Sequence, residues 1–204
     1  MAIEQASQLD RGAHFTRFVE QMRATWRQGQ DATLPARAQP LLEALLRESP
    51  RDEAWSALLL REQPVGRELY RDSDFGFSQM GHYHPAGHGG SPHDHGPYWV
   101  LYGVYSGEIE ITRYRRVGGG TEAGPARLEI VATERLPAGT VKPYLRGEIH
   151  ATRAIAPEGS VVMRFLSADI DQIERFRYKP LDRDNQPPTT GSPKAGNYQA
   201  IFGR

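Results

Sequence analysis

Histidines crowd one short stretch of the sequence, where their spacing could hold a metal ion. Five of the seven histidines lie within fourteen residues, from His82 to His95. His93 and His95 are two residues apart, so on an extended strand both imidazoles point to one face and Asp94 points to the other. The segment is too rich in glycine and proline to form a helix, so these side chains are expected on strand ends and loops.

His150 is the third candidate ligand. It follows a turn containing proline and glycine and opens a predicted strand. Closure of a β fold could bring it opposite His93 and His95. Three neutral imidazoles would leave coordination positions for water, a substrate or dioxygen, which is typical of catalytic rather than structural metal sites.

The other histidines are expected to lie outside this site. We interpret His82, His84 and His88 as polar, solvated residues of a glycine-rich loop. His14 falls on a predicted helix, where a structural or exposed position is expected.

The composition excludes several classes of function. The chain has 204 residues, with 25 basic and 25 acidic side chains, and this balance argues against a nucleic-acid partner. The absence of cysteine excludes disulfides, a thiolate nucleophile and cysteine-ligated metals. No apolar run is long enough to span a bilayer, and Met1 to Asp10 lacks the pattern of a secretory signal. We therefore expect a cytoplasmic protein with no membrane partner.

Residues 1–65 are predicted to form a helical layer. Apolar residues recur at helical spacing through residues 13–28, and a second short helix carries Leu41 to Leu46. Ser49-Pro50-Arg51-Asp52 has the signature of a helix start. Nothing in this layer resembles a site, so its expected role is to pack against something larger.

From residue 66 the pattern changes to short strands separated by turns. Such spacing, with no further helix, predicts a closed barrel or jelly roll over 66–178. We expect an irregular tail over 179–204, with Tyr198 and Ile201 pinning its end, in one structural domain overall. The predicted strands are 68–71, 75–83, 97–105, 108–116, 126–135, 140–145, 149–155 and 160–168.

Two stretches resemble the conserved motifs of the cupins. Gly90-Ser-Pro-His93-Asp-His95, followed by Gly103-Val-Tyr-Ser-Gly107-Glu, resembles the first motif, and the segment from Pro137 to His150 resembles the second. The glutamate that usually follows the second histidine is absent, since Trp99 and Val100 stand in that region. The resemblance implies a mainly β fold, the cupin double-stranded β-helix or jelly-roll barrel, with an N-terminal helical layer.

A three-histidine site without the glutamate resembles the thiol dioxygenases, the cysteine and 3-mercaptopropionate dioxygenase group. The resemblance extends over residues 10–175 and includes Tyr70-Arg71-Asp72 before the histidine-rich strand. It implies a mononuclear non-haem Fe(II) bound by His93, His95 and His150. Its partners would be O2 and a small-molecule substrate, either a thiol or another anionic organic acid, and both oxygen atoms would enter the product.

Three further residues are candidates for the substrate site. Arg71 falls where cysteine dioxygenases place the arginine that pairs with the substrate carboxylate, a task that suits a planar guanidinium. Arg164 would be a second cation near the metal if it points inward; in the other orientation Val161 and Met163 fill the core and Arg164 faces water. Tyr102 is the third candidate, although an aromatic residue at this place more often lines a barrel.

The chain also departs from the thiol dioxygenases. Val162, Arg164 and Leu166 stand where those enzymes carry a Ser, a His and a Tyr that alternate toward the iron. The outer-sphere tyrosine is therefore missing from its usual strand, and the Cys–Tyr crosslink of the animal enzymes is impossible. These differences argue against cysteine itself as the substrate.

Two alternatives to a dioxygenase remain open at the level of sequence. Imidazole ligands suit iron, nickel, copper and zinc alike, so a cupin isomerase or hydrolase that uses Zn, Ni or Mn would carry the same residues. A non-catalytic cupin that binds a metal or ligand is the other alternative. For the dioxygenase and for both alternatives, we expect a monomer or a homodimer.

Overall fold

Three helices precede ten strands in the computed structural model, which describes residues 11–169, 172–181 and 194–203. The helices are α1 (Ala13–Arg27), α2 (Leu34–Glu48) and α3 (Ala54–Glu62). None of these helices has the length and hydropathy needed to cross a membrane. The strands are β1 (Arg67–Arg71), β2 (Ser78–His84), β3 (Val100–Ser106), β4 (Glu108–Gly118), β5 (Gly124–Pro137), β6 (Val141–Tyr144), β7 (Ile149–Ala154), β8 (Ser160–Leu166), β9 (Arg175–Pro180) and β10 (Gly196–Gly203).

The strands form two antiparallel five-stranded sheets. The first sheet has the order β1-β2-β8-β3-β6, and the second has the order β7-β4-β5-β10-β9. Some neighbouring strands come from distant parts of the chain, such as β2 and β8 in the first sheet and β5 and β10 in the second, as in a jelly roll. The mainly β, double-stranded β-helix expected from the sequence, with helices at its N-terminal end, is confirmed.

The helical layer packs on the outer face of the first sheet. Its apolar residues share one core with Val161, Met163 and Phe165 of β8. Gly81 and Gly103 lie at this contact, because a Cβ on either one would come within 2.6 Å of Leu59 or Leu46, respectively. Two strands of the sheet therefore carry glycine where a leucine of the helical layer makes its closest approach.

The third helix begins later than its sequence signature predicts. Ser49 is the C-cap of α2, and its extended backbone, favoured by the proline that follows, ends that helix. α3 starts at Ala54 with Glu53 as its N-cap. The Glu53 carboxylate accepts hydrogen bonds from the backbone N–H groups of His14 (2.7 Å) and Phe15 (3.4 Å). The side chain of Glu53 thus caps the N-terminus of α1, and the backbone of the same residue caps the N-terminus of α3.

The prediction of an irregular tail over 179–204 is wrong for residues 196–203, which form β10. This strand pairs with β5 and β9, and Tyr198 is 2% exposed in the core of the second sheet. Ile201, expected to pin the end, is 38% exposed. β9 was also not predicted as a strand. Residues 182–193 of the predicted tail lie outside the described residues.

A second core lies between the two sheets. Its members are apolar and come from both sheets: Val100, Tyr102, Val104, Ile109, Ile111, Leu136, Tyr144, Val162 and Leu166. On β8, Val162 and Leu166 point into this core while Val161, Met163 and Phe165 point to the helices. Because side chains alternate along a strand, Arg164 points between the sheets. The structure therefore shows the inward orientation of Arg164.

Candidate metal centre

The segment of residues 87–94 carries the first ligand candidate to the second sheet. It runs antiparallel to β7, with hydrogen bonds from Gly90 N to Thr152 O (3.0 Å) and from Ala154 N to His88 O (2.9 Å). Its other edge meets β9, where Asp94 N donates to Phe176 O (3.1 Å). The segment therefore fills the gap between the two edge strands of the second sheet.

His93 and His95 point to one side of this segment and Asp94 to the other, as the spacing predicts. The Asp94 carboxylate is buried and accepts hydrogen bonds from the backbone N–H groups of Gly96 (3.0 Å) and Phe176 (3.1 Å). Asp94 Oδ1 accepts both of these hydrogen bonds and so holds the backbone in place at the site.

The three predicted ligand residues converge. Ring nitrogens of His93, His95 and His150, one from each side chain, all lie within 4.8 Å of one another. The ring centroids are 5.1 Å apart for His93 and His95, 4.8 Å for His93 and His150, and 5.2 Å for His95 and His150. Among the described residues, no carboxylate belongs to this group.

Hydrogen bonds at the far side of two rings leave their inner nitrogens free to bind. Nδ1 of His93 lies 3.0 Å from the carbonyl oxygen of Ser91, and Nδ1 of His150 lies 3.3 Å from that of Glu148. A carbonyl can only accept, so each Nδ1 carries the proton and each Nε2 keeps its lone pair.

The inner nitrogens are buried without partners. Nε2 of His150 and both ring nitrogens of His95 have no hydrogen-bond partner within the described part of the chain. His95 and His150 are 1% and 0% exposed. Buried polar atoms normally find a partner, and one metal ion would satisfy Nε2 of His150 together with one ring nitrogen of His95. The residues present therefore fit a single metal ion.

Burial also keeps the three imidazoles in the form that binds metals. Loss of hydration lowers the pKa of His93 to about 4. The same cause, followed by mutual repulsion with neighbouring histidines, holds the pKa of His95 and of His150 well below the ordinary value. The rings are therefore neutral at physiological pH, and no proton has to leave them before a cation binds.

Two tyrosines line the site on the side of His150. The Tyr102 ring lies 5.2 Å from the His150 ring, nearly perpendicular to it, and 6.3 Å from the His95 ring. Tyr144 lies closer, with its ring centroid 4.3 Å from that of His150. Burial raises the pKa of Tyr144, so its phenol stays protonated. Tyr102 was a candidate from the sequence, whereas Tyr144 was missed.

Two arginines face the site without a carboxylate partner. Nε of Arg164 and both Nε and Nη1 of Arg175 are buried and have no hydrogen-bond partner among the residues that the structure describes. Positive charge on Arg164 and on Arg175 contributes to the lowered pKa of His93, His95 and His150. Arg175 was missed because β9 was not predicted; the alternation of arginine and aromatic residues from Arg175 to Tyr178 was the available signal.

Arg71 is engaged elsewhere. Its guanidinium forms ion pairs with Glu68 (2.5 Å) and Asp169 (2.5 Å) at the edge of the first sheet. These two carboxylates already pair with the guanidinium that the resemblance assigned to the substrate carboxylate. Substrate binding is therefore not assigned to Arg71.

The remaining histidines of the cluster differ from the solvated loop residues expected. His82 and His84 belong to β2 and are partly buried, and only His88 is exposed. Their rings stack in a row, 5.9 Å apart for His82 and His84 and 5.2 Å apart for His84 and His88. Burial lowers the pKa of His82 to about 3 and that of His84 to about 4. His14 has the structural role expected, pairing with Glu53 at 3.2 Å.

Comparisons with known proteins find similarity in fold alone. The cupin domain of Schizosaccharomyces pombe Cnp3 matches 51% of this chain and 60% of its own, with 16% identity and a TM-score of 0.40. KdgF from Halomonas sp. matches over 52% of this chain and 82% of its own, with 17% identity and a TM-score of 0.38. An oxalate oxidase in complex with the substrate analogue glycolate matches over 46% of this chain and 42% of its own, with 17% identity and a TM-score of 0.37.

Neither a protein-family model nor a curated protein matches the sequence. The structural matches have low identity and cover about half of this chain, so they carry no argument about its activity. The case for a function rests on the three histidines and the residues around them.

Proposed function

We propose that the chain is a mononuclear non-haem Fe(II) dioxygenase that acts on a small organic acid, most simply one that carries a thiol. The observation that supports this proposal best is the convergence of three neutral histidines with no carboxylate of the described residues among them, two of which, His95 and His150, are buried with unpartnered ring nitrogens. A site of three histidines without the usual glutamate is also the basis of the resemblance of the sequence to the thiol dioxygenases.

His93, His95 and His150 would hold the metal through one ring nitrogen each. Three protein ligands leave coordination positions open, as a catalytic site requires. Fe(II) bound there would supply a redox-active centre at which an organic acid and dioxygen meet. The backbone carbonyls of Ser91 and Glu148 hold two of the rings by their outer nitrogens, which fixes the direction of the inner ones.

The remaining residues would bind and shield the substrate. Arg164 presents a buried, unpartnered N–H to the space between the sheets, where it can donate to a carboxylate. Tyr102 lies against His95 and His150, so its ring forms a wall for any molecule bound beside them. The apolar side chains of Ile111, Val162 and Leu166 keep bulk water from the interior and strengthen such a charge-assisted bond.

Oxygen uptake tests this proposal. Protein loaded anaerobically with Fe(II) is mixed with 3-mercaptopropionate, cysteine or cysteamine, and the consumption of O2 and the mass of the product are measured. We expect 3-mercaptopropionate to gain both atoms of O2, and cysteamine, which lacks a carboxylate, to react more slowly. Absence of uptake with every thiol, despite bound iron, would contradict the proposal. In that case turnover by Zn-, Ni- or Mn-loaded protein would favour an isomerase or hydrolase.

A further inference from the structure

Two arginines that face the candidate metal centre, Arg164 and Arg175, differ from other shielded arginines in lacking an acidic partner among the described residues. Arg23 pairs with Asp72 and Asp74, and Arg153 pairs with Glu110 at 2.9 Å. Within the described ranges, neither Arg164 nor Arg175 has such an ion pair, and both have buried nitrogens without acceptors. Leaving such nitrogens buried without an acceptor is costly to a fold, and an anionic ligand that accepts from them would remove this cost.

Asp94 does not meet this need. Asp94 acts electrostatically on Arg175, but its Oδ1 accepts hydrogen bonds from the backbone N–H groups of Gly96 and Phe176. It lies on the face of its segment opposite to His93 and His95. Asp94 therefore leaves the charges of Arg164 and Arg175 without an ion pair among the described residues, and the proposed divalent ion would add two more positive charges.

The two arginines approach the histidines from different walls. Arg164 lies on β8 in the first sheet, and Arg175 lies on β9 at the edge of the second sheet. Charge on each of them reaches all three histidines. Because the two guanidinium groups come from different sheets, each can bind its own anionic group of one ligand.

We propose that the substrate of this site is a dicarboxylate, with one carboxylate bound by Arg164 and the other by Arg175. This inference rests on the proposed function for the identity of the site and adds the class of its substrate. A guanidinium can donate two parallel N–H bonds to a carboxylate, and Nε of Arg164 and both Nε and Nη1 of Arg175 are donors without an acceptor among the described residues. Arg175 is thereby a specificity-determining residue.

Binding of a matched pair of acids tests the inference without turnover. Isothermal titration calorimetry compares succinate with butyrate, which has the same carbon chain and one carboxylate fewer, on protein loaded with redox-inactive Zn(II). We expect succinate to bind at least about tenfold more tightly. R164Q and R175Q should each reduce this preference to about twofold or less, because one carboxylate loses its partner. R17Q, which changes an exposed arginine on α1, should keep it.

The variants also separate a binding role from a structural one. Removing an unpaired buried charge should leave the melting temperature of R164Q and R175Q equal to that of the parent protein or above it. R175K, which keeps the charge and loses the planar fork, should retain part of the preference. Equal affinity for succinate and butyrate, or a preference that survives both R164Q and R175Q, would overturn the inference.

A thiol pair distinguishes this inference from the proposed function. Mercaptosuccinate is 3-mercaptopropionate with a second carboxylate, and we expect at least a tenfold higher kcat/KM for mercaptosuccinate. Uptake of O2 with equal kcat/KM for both thiols would contradict the proposal of a dicarboxylate substrate but would support the proposed dioxygenase activity. Selective binding of succinate without any O2 uptake would contradict the dioxygenase and leave the dicarboxylate site.

Discussion

His93 and His150 exchange two backbone hydrogen bonds, each 2.9 Å long, although they lie far apart in the sequence. The pair joins the 87–94 segment to β7 at the point where the two side chains meet. The backbone of His93 also faces Arg177 of β9. The positions of two ligand candidates are therefore set by a β ladder rather than by a free loop. A site built on such a rigid element needs little reorganisation to bind an ion.

Loss of one ligand should remove the metal without unfolding the chain. In H93A and H150A we expect metal content to fall from about one ion per chain to below about a tenth, since two imidazoles bind a divalent ion far more weakly than three. Elemental analysis after dialysis measures this content, and circular dichroism reports the fold. H88A, which changes an exposed histidine outside the group, is the matched control and should keep its metal. Full metal content in H150A would show that the site has been placed wrongly.

The ring of Tyr144 should matter more than its hydroxyl. Its ring packs on His150, whereas its hydroxyl lies 3.5 Å from Glu134 Oε1, a long and weak contact. We expect Y144L to weaken metal binding by about tenfold to a hundredfold through the loosened imidazole, and Y144F to stay close to the parent protein. Competition with a chromophoric chelator measures both affinities. A loss in Y144F as large as that in Y144L would assign the effect to the hydroxyl instead.

The contact between the helical layer and the first sheet should be sensitive to a single methyl group. A Cβ at position 81 would meet Leu59, a fully buried residue, at 2.5 Å, so G81A must displace packed side chains. We expect the free energy of unfolding to fall by about 1–3 kcal/mol. Chemical denaturation measures the change, with G118A as a control because its Cβ would have ordinary contacts. Equal stability of G81A and the parent protein would mean that this packing is looser than the structure shows.

Acid should destabilise the metal-free protein in a defined pH window. Burial keeps His82 and His84 neutral, with pKa values of about 3 and about 4, against 6.5 for an ordinary histidine. Between pH 6.5 and 4 the unfolded chain therefore binds protons that the folded chain does not. The free energy of unfolding should be highest above pH 6.5 and fall as the pH decreases through this window.

The contribution of one histidine to this effect can be isolated. Each histidine that stays neutral adds up to about 1.4 kcal/mol per pH unit to the slope of unfolding free energy against pH. H84Q should therefore have a shallower slope than the parent protein, measured by urea denaturation in the presence of a chelator. The same slope in both proteins would show that His84 titrates equally in the folded and unfolded chains.

Much of the fold could be predicted because its signals are local. Apolar residues at helical spacing place α1 almost to the residue, and turn residues separate strands β1 to β8. β9 and β10 could not be found in this way. Tyr198 is buried only because β10 pairs with β5 and β9, and those contacts come from distant parts of the chain.

The residues of the candidate site also differ in whether a local sequence signal could predict them. The two-residue spacing of His93 and His95 and the place of His150 before a strand were enough to predict that the three would meet. Tyr144 and Arg175 carry no such local signal, since their approach to the site depends on how β6 and β9 pair. Arg71 fails for the opposite reason: its local context suits a substrate, but Asp169, distant in sequence, forms an ion pair with it.

Anomalous diffraction from crystals of the metal-loaded protein tests the central claim most directly, because it places the bound ion relative to individual side chains. The account predicts one ion per chain, coordinated by a ring nitrogen from each of His93, His95 and His150. An ion held instead by the stacked histidines at 84 and 88, or the absence of any ion between the three rings, would contradict it.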